Sequence, residues 1–375
     1  MTTPPTALTV QPGSVFDGNT AGIITMVAVK GLAVAVGTDT SGQNYIACGS
    51  QKTYFYTDLA GASLAGANFD YAIGTYDGGY YAGYESGSFL WPYRANAAVI
   101  SVPNDTILAV AKNANVFLDL GLAAYGVTPT ANLLTVVGNK LNRVPYTIPT
   151  ADYTANTLNS VAINSSGLAV VDVYANQFIG GSKRKGGVAA RRALWNRVNP
   201  PMSGSLVDRF ARTKNLPKPT TTSGSPSGYY LLSPGQAPIA MALPTGASSA
   251  TVLAINDQGI SVGFVTIGYS DVPYYWDAQG NAYAMQLPSD LNEGYAYDIN
   301  GAGTVVGGVA NDLTGYAVMW NAVNGSPTNL NTLVSSTFPF DIQYVSSIGN
   351  DFTMAGYGNP KANANGSDLF GLQPH

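Results

Sequence analysis

The side chains that most often do chemistry are scarce in this chain of 375 residues. Its one histidine is His375, the last residue, and its one cysteine is Cys48. Ser-His-Asp and Cys-His catalysis are therefore excluded, and so is every histidine-based metal site. No Gly-x-x-x-x-Gly-Lys-Ser/Thr loop occurs, and Asp77-Gly-Gly79 reads as a turn. Carboxylates remain. Glu85 and Glu293 are the only glutamates, so Asp77 with Glu85 and Asp290 with Glu293 are the pairs that could flank a glycosidic bond. Asp39, Asp257, Asp277 and Asp351 sit in turn contexts instead, where Asp caps its own backbone. A calcium loop of the Asp-x-Asp-x-Asp-Gly kind is absent. These residues lead us to expect no catalytic residue, no metal and no cofactor.

Two constellations could bind rather than react. Tyr76, Tyr80, Tyr81 and Tyr84 cluster around one turn, and Tyr269, Tyr274 and Tyr275 around another. Exposed aromatics stack on sugar rings and anchor protein interfaces; the competing reading packs them between sheets. The second constellation is basic. Ten of the 17 Lys and Arg residues fall between Lys183 and Lys218, where Asp208 is the only acid. That segment carries +9 and the remainder −13. Within it, Lys183, Arg184, Lys185, Arg191, Arg192, Arg197, Arg209 and Arg212 accompany two aromatics, Trp195 and Phe210. Val188–Val198 has the spacing of a short amphipathic helix, and Ser205 is a reasonable N-cap for a second. Pro217–Pro226 reads as a flexible linker. The expectation is a docking arm for other protein subunits, including further copies of this chain. Nucleic acid is disfavoured, because no recognised nucleic-acid motif is present.

The elements that must position these groups are strands. Charged residues are only 10% and hydrophobic residues 46%, with 43 Gly and 24 Tyr. This palette suits strands and turns and is poor for helices. A repeat is visible. Ala254-Ile-Asn-Asp-Gln-Gly-Ile-Ser-Val-Gly263 matches Asp298-Ile-Asn-Gly-Ala-Gly-Thr-Val-Val-Gly307, with Asn256 and Asn300 spaced by 44. Ala162–Val171 is a third copy and Ile348–Gly356 a weaker fourth. Each joins two strands through an Asn-x-x-Gly turn. At the far end of the unit come Ile100-Ser-Val-Pro103, Tyr146-Thr-Ile-Pro149, Met241-Ala-Leu-Pro244 and Met285-Gln-Leu-Pro288, expected as outer strands. Trp91 and Trp276, twelve residues before their prolines, end third strands.

Four antiparallel strands at a period near 45 make a propeller blade. Six complete blades are expected at 22–60, 67–103, 107–149, 158–244, 251–288 and 295–334. A seventh starts near Tyr344 and stops after Asp368–Leu372, one strand short, and Ala7-Leu-Thr-Val-Gln-Pro12 can supply it. The expected fold is thus all-β: one domain over 1–375, a seven-bladed β-propeller of four-stranded antiparallel blades. Its N-terminal strand closes the last blade, and blade four carries a basic, partly helical insertion over 176–226. An open sandwich or a solenoid is the competing arrangement. Cys48 lies in an apolar run and reads as a small core residue.

The Ala-Ile-Asn-Asp-x-Gly-x-x-Val-Gly run, followed by a Trp strand, resembles the HAF-type repeat of bacterial extracellular proteins. The resemblance is best over 251–334 and extends in part to 158–175 and 344–372. Tyr274-Tyr-Trp276 and Ala317-Val-Met-Trp320 stand where that repeat has His-Ala-Phe. It implies a propeller and carries over no catalytic residue.

No run of about 18 apolar residues exists, so no membrane-spanning helix is expected. Met1-Thr-Thr-Pro-Pro has neither the basic nor the apolar region of a secretory signal. A weakly charged strand-rich body with a basic arm and no such signal points to a non-enzymatic component of a virus particle, such as a bacteriophage tail protein. A glycan-binding or adhesive propeller outside the cell is the alternative, and a polysaccharide-acting enzyme a third.

Overall fold

The repeat of the sequence is a repeat of hairpins. The computed structural model describes residues 3–10, 16–17, 23–29, 32–38, 44–48, 51–55, 63–67, 71–76, 87–92, 100–103, 105–112, 114–121, 131–138, 140–148, 156–175, 228–311, 314–362 and 368–375. By contact density the chain divides into two compact units. One holds Met1–Tyr56, Met202–Thr220 and Ala242–His375, the other Thr57–Pro201 and Thr221–Met241.

In the first unit, the N-terminal segment carries β1 (Leu8–Val10) and β2 (Phe16–Asp17). A four-stranded sheet follows, of β3 (Ile23–Val29), β4 (Leu32–Thr38), β5 (Asn44–Cys48) and β6 (Gln51–Phe55). The second unit holds three such sheets. They are β7 (Ser63–Ala67) to β10 (Ile100–Pro103), with β8 over Tyr71–Tyr76 and β9 over Gly87–Pro92; β11 (Asp105–Val110), β12 (Val116–Gly121), β13 (Ala131–Val137) and β14 (Lys140–Pro145); and β15 (Asn156–Ile163), β16 (Ala169–Ala175), β17 (Gly228–Leu232) and β18 (Ile239–Ala240). The first unit resumes with β19 (Ala247–Ile255), β20 (Ser261–Ile267), β21 (Ser270–Trp276) and β22 (Ala282–Ala284), then β23 (Glu293–Ile299), β24 (Val305–Ala310), β25 (Gly315–Trp320) and β26 (Pro327–Asn329). Its last sheet joins β27 (Phe340–Ile348), β28 (Met354–Pro360) and β29 (Asp368–Pro374) to β1. Among the described residues these strands make seven antiparallel sheets, six of them chains of sequential hairpins and the last joining three such strands to the N-terminal segment.

The sheet built from both chain ends matches the expected strand exchange. Leu8, Thr9 and Val10 pair with Pro374, Gln373 and Leu372, and β2 adds a second, unforeseen contact by pairing Phe16 with Leu369. Leu8 is 4% exposed and joins Phe340, Phe370 and Leu372 in one apolar cluster.

The Asn-x-x-Gly turn shows why its residues recur. In three copies the Asn side-chain oxygen accepts two backbone N–H groups of its own turn: Ser166 and Leu168 for Asn164, Gln258 and Ile260 for Asn256, Ala302 and Thr304 for Asn300. The glycine takes positive φ, 78° at Gly259 and 85° at Gly303. In the fourth copy Gly349 stands at the Asn position and Phe352 at the Gly position, with φ 64° and a buried ring.

The side-chain amides also join neighbouring sheets. Asn256 Nδ2 donates to Asn300 O at 3.2 Å and Asn300 Nδ2 to Gly349 O at 3.3 Å. The tryptophans follow the same step. Trp276 Nε1 donates to Ala242 O and Trp320 Nε1 to Gln286 O, at 2.9 and 2.8 Å. Asp298 is 2% exposed and accepts Ile299 N and, from the neighbouring sheet, Ile348 N at 2.8 Å.

Six expected strands are placed differently. Gly263 and Gly307 do not end the second strands but lie inside β20 and β24. There the inner strand bulges, and a Cβ on either glycine would collide with Thr251 O or Tyr295 O. The outer strand of the 105–145 sheet is β14, not Tyr146–Pro149, because the hairpin around Gly138 returns at once. The Met241–Pro244 and Met285–Pro288 runs follow their outer strands, each adding one bond, Met241 N to Tyr229 O and Met285 N to Pro273 O. Likewise 328–333 is only partly strand, giving way to a 3-10 turn over Leu330–Thr332.

Candidate functional site

A polar constellation in the first unit lies where β20 turns into β21. Ser249 Oγ on β19 donates to Thr266 Oγ1 at 3.1 Å, and Thr266 Oγ1 donates to Asp271 Oδ1 at 2.7 Å. The other carboxylate oxygen accepts the Tyr295 hydroxyl of β23 at 2.6 Å. Four strands are thus stitched by one Ser-Thr-Asp-Tyr chain. Tyr295 is buried and meets Phe264 edge-on at 4.5 Å. From there rings continue through Tyr297, Tyr344 and Tyr357, with centroid spacings of 5.9, 5.6 and 5.0 Å. The turn above this network carries Tyr269, 84% exposed. A rigid floor under an exposed aromatic can hold a ligand. With both carboxylate oxygens already accepting hydrogen bonds, Asp271 reads as part of that floor.

Nearby, Tyr316 has its hydroxyl pKa raised, first by burial and second by the charge of Asp290. Asp290 O accepts Asn311 Nδ2, and Glu293 is buried at the start of β23. A second pair of rings, Tyr275 on Tyr283, stacks at 4.9 Å, with the Tyr283 hydroxyl on Asp277 Oδ2. Asp277 Oδ1 accepts Gln279 N and Asn281 N, and Asp351 Oδ1 accepts Thr353 N, which is the turn role read from the sequence. Tyr274 is buried in the first unit rather than displayed.

In the second unit, burial pushes the Asp172 carboxyl up to about 7. Its Oδ1 has no hydrogen-bond partner among the described residues. Burial also raises the Tyr146 hydroxyl, which donates to Gly167 O at 2.6 Å.

The docking-arm residues Lys183, Arg184, Lys185, Arg191, Arg192, Trp195, Arg197, Arg209, Phe210 and Arg212 lie outside the described residues, as do Tyr80, Tyr81 and Tyr84 and the pair Asp77 and Glu85. Tyr76 ends β8, and its side chain is likewise outside them. The described residues contain no group of three His, Cys, Asp or Glu placed to hold a metal, and no helix long and apolar enough to cross a membrane. Sequence reasoning missed Asp172, Asp271 and Asp298. Their signal was available: each is an acid inside a strand run, not in a turn.

No known protein family matches the chain, and no curated protein matches its sequence. Solved structures do match its fold. Over 95% of this chain and 94% of the other, it superposes with a TM-score of 0.53 and 9% identity on the β-propeller domain of the trilobed protease from Pyrococcus furiosus, described as having an open velcro topology. The chain has a β-propeller fold. More distant likenesses are an acylaminoacyl peptidase from Pyrococcus horikoshii (TM-score 0.41, 8% identity, 91% of this chain and 43% of that one) and a polysaccharide lyase, ulvan lyase (0.44, 9%, 96% and 95%). The expected virion component is overturned: the propeller domain that this chain resembles end to end belongs to a protease. Low charge and a basic arm were features of character that a propeller of any calling can share.

Proposed function

We propose that this chain is a seven-bladed propeller, closed by β1 on β29, that serves a protein-hydrolysing enzyme by holding its polypeptide substrate. The observation that supports this reading best is the end-to-end likeness to a protease's propeller domain. In this reading the chain holds the substrate and leaves the cutting to the enzyme; its one histidine, His375, is exposed. Holding falls to the exposed Tyr269 turn, braced by Ser249, Thr266, Asp271 and Tyr295.

The test uses the purified full chain and fluorescein-labelled casein. Saturable binding without cleavage is expected, weakened roughly tenfold in Tyr269→Ala, since an aromatic anchor contributes about 1–2 kcal/mol. Cleavage of casein by the chain alone, or no binding at all, overturns the reading.

A further inference from the structure

An asparagine followed by glycine is open to attack by the chain's own next nitrogen, because glycine adds no Cβ to hinder the approach and bends freely. The sequence has three such pairs, Asn300-Gly301, Asn324-Gly325 and Asn365-Gly366, and the last lies outside the described residues. The other two sit on one sheet, in its first and last turns, and their surroundings are opposite.

Asn300 is locked. It is 3% exposed, its oxygen accepts Ala302 N and Thr304 N, and its amide donates to Gly349 O. The nitrogen that would attack it, Gly301 N, donates to Asn350 Oδ1 at 2.7 Å. Both reacting groups are held, and burial keeps water off the amide.

Asn324 is the reverse case. It lies in the turn between β25 and β26, exposed beside exposed Ala322 and Ser326. Among the described residues no hydrogen bond holds its side-chain amide; only its main-chain oxygen is engaged, by Gln286 Nε2 at 3.4 Å. Gly325 N makes one bond, to Ala322 O at 2.8 Å, which closes the turn. A single bond at an exposed turn opens in local fluctuations, whereas the bonds around Asn300 open only with the joint to the next sheet.

We propose that Asn324 is a site of spontaneous covalent modification, converting to aspartate and isoaspartate while Asn300 stays intact. Gly325 N gives up its proton and bonds to Asn324 Cγ. The Cγ–Nδ2 bond breaks, and Nδ2 takes up a proton and leaves as ammonia. Water then opens the cyclic imide. Cleavage between nitrogen and Cγ gives aspartate; cleavage at the main-chain carbonyl gives isoaspartate, whose backbone runs through Cβ and Cγ. Either product places a carboxylate in the turn.

The change falls on a joint between sheets. Gln286, just after β22, spans it: Nε2 reaches Asn324 O, Oε1 accepts Ser326 Oγ at 2.8 Å, and the main-chain oxygen accepts Trp320 Nε1. In isoaspartate the former Asn324 carbonyl is the free carboxylate, so this clasp is rebuilt around a charge. The inference needs no ligand and is independent of the substrate-holding reading.

The full chain is kept folded in mildly alkaline buffer, which eases loss of the amide proton, and is sampled over time by chymotryptic peptide mapping with mass spectrometry. The peptide holding Asn324 is expected to gain the mass of acid over amide and to resolve into two products, while the peptide holding Asn300 stays unchanged. Gly325→Ala should lose most of the conversion. Gly325 does not take positive φ, and a Cβ there meets Ala322 O at 3.2 Å, so the added methyl fits with a small shift. Circular dichroism confirms that the variant is folded. An intact Asn324, conversion at Asn300 as fast as at Asn324, or conversion indifferent to Gly325→Ala overturns the proposal.

Discussion

Replacing Asn300 separates the two jobs of the repeated turn. The side chain is 3% exposed. Its oxygen accepts Ala302 N at 3.0 Å and Thr304 N at 2.9 Å, and its amide donates to Gly349 O of the next sheet at 3.3 Å. Asn300→Ala leaves all three groups without that partner. At about 1 kcal/mol for each lost bond, the expected destabilisation is about 3 kcal/mol. Asn300→Asp keeps both acceptor bonds but sets an oxygen against Gly349 O, so its loss is confined to the link between sheets.

The assay is urea unfolding followed by tryptophan fluorescence, which also reads the nearby Trp320. With about 2.1 cal/mol/K of unfolding entropy per residue, 3 kcal/mol corresponds to a melting shift of about 4 °C in a chain this long. Asn256→Ala combined with Asn300→Ala should depart from additivity by about 0.5 kcal/mol or more, because Asn256 donates to Asn300 O and the two turns share one hydrogen-bond network. If Asn300→Ala unfolds within about 0.5 kcal/mol of the parent, the turn is not held by this side chain and the reasoning fails.

Other outcomes follow from the same geometry. Ser261 is fully buried with no partner for Oγ among the described residues, while Ala169, Val305 and Met354 hold the matching register positions; Ser261→Ala should raise stability by about 1 kcal/mol in urea titrations, and a loss would contradict the orphaned hydroxyl. Asp172 titrates near 7 when folded and near 4 when unfolded, so its contribution is complete below about pH 4 and is lost as pH rises through 7. Between pH 5 and pH 8 the parent should therefore lose on the order of 2 kcal/mol relative to Asp172→Asn, and parallel pH profiles would refute this. Removing residues 1–10 deletes the β1 ladder and the buried Leu8, at about 4 kcal/mol, measured as a lower denaturant midpoint; an unchanged midpoint would rule out the strand's role.

The turns were readable because their physics is local. An Asn that caps its own turn and a Gly at positive φ leave a pattern within four residues, and the step of 44 between Asn256 and Asn300 repeats it. The outer strand of the 105–145 sheet was misread because two segments there, ending at Pro145 and at Pro149, carry the same apolar-Pro ending. The immediate return of the chain at Gly138 decides between them. Gly263 and Gly307 were taken as strand ends when they mark bulges, since one sequence does not tell a terminating glycine from one approached by backbone. The Ser249-Thr266-Asp271-Tyr295 chain left no local trace. Tyr295 and Asp271 are 24 residues apart, and only the meeting of β21 and β23 makes them partners. The acid inside a strand was the one clue on offer.

The pairing of Leu8 with Pro374 also orders events in time. β1 is made before the other strands and β29 after them. The separation in sequence is far larger than in any hairpin, so this contact forms late. Every sheet made of consecutive hairpins can assemble during synthesis. The one that holds β1 cannot form before β29 is made, and until then β1 waits as a short apolar strand without that neighbour. His375 N donates to Ala7 O at 3.1 Å, so the two ends finish side by side. A short linker joining them, with new ends opened at a turn such as 278–279, should give a protein whose hybrid sheet forms from adjacent residues and folds faster.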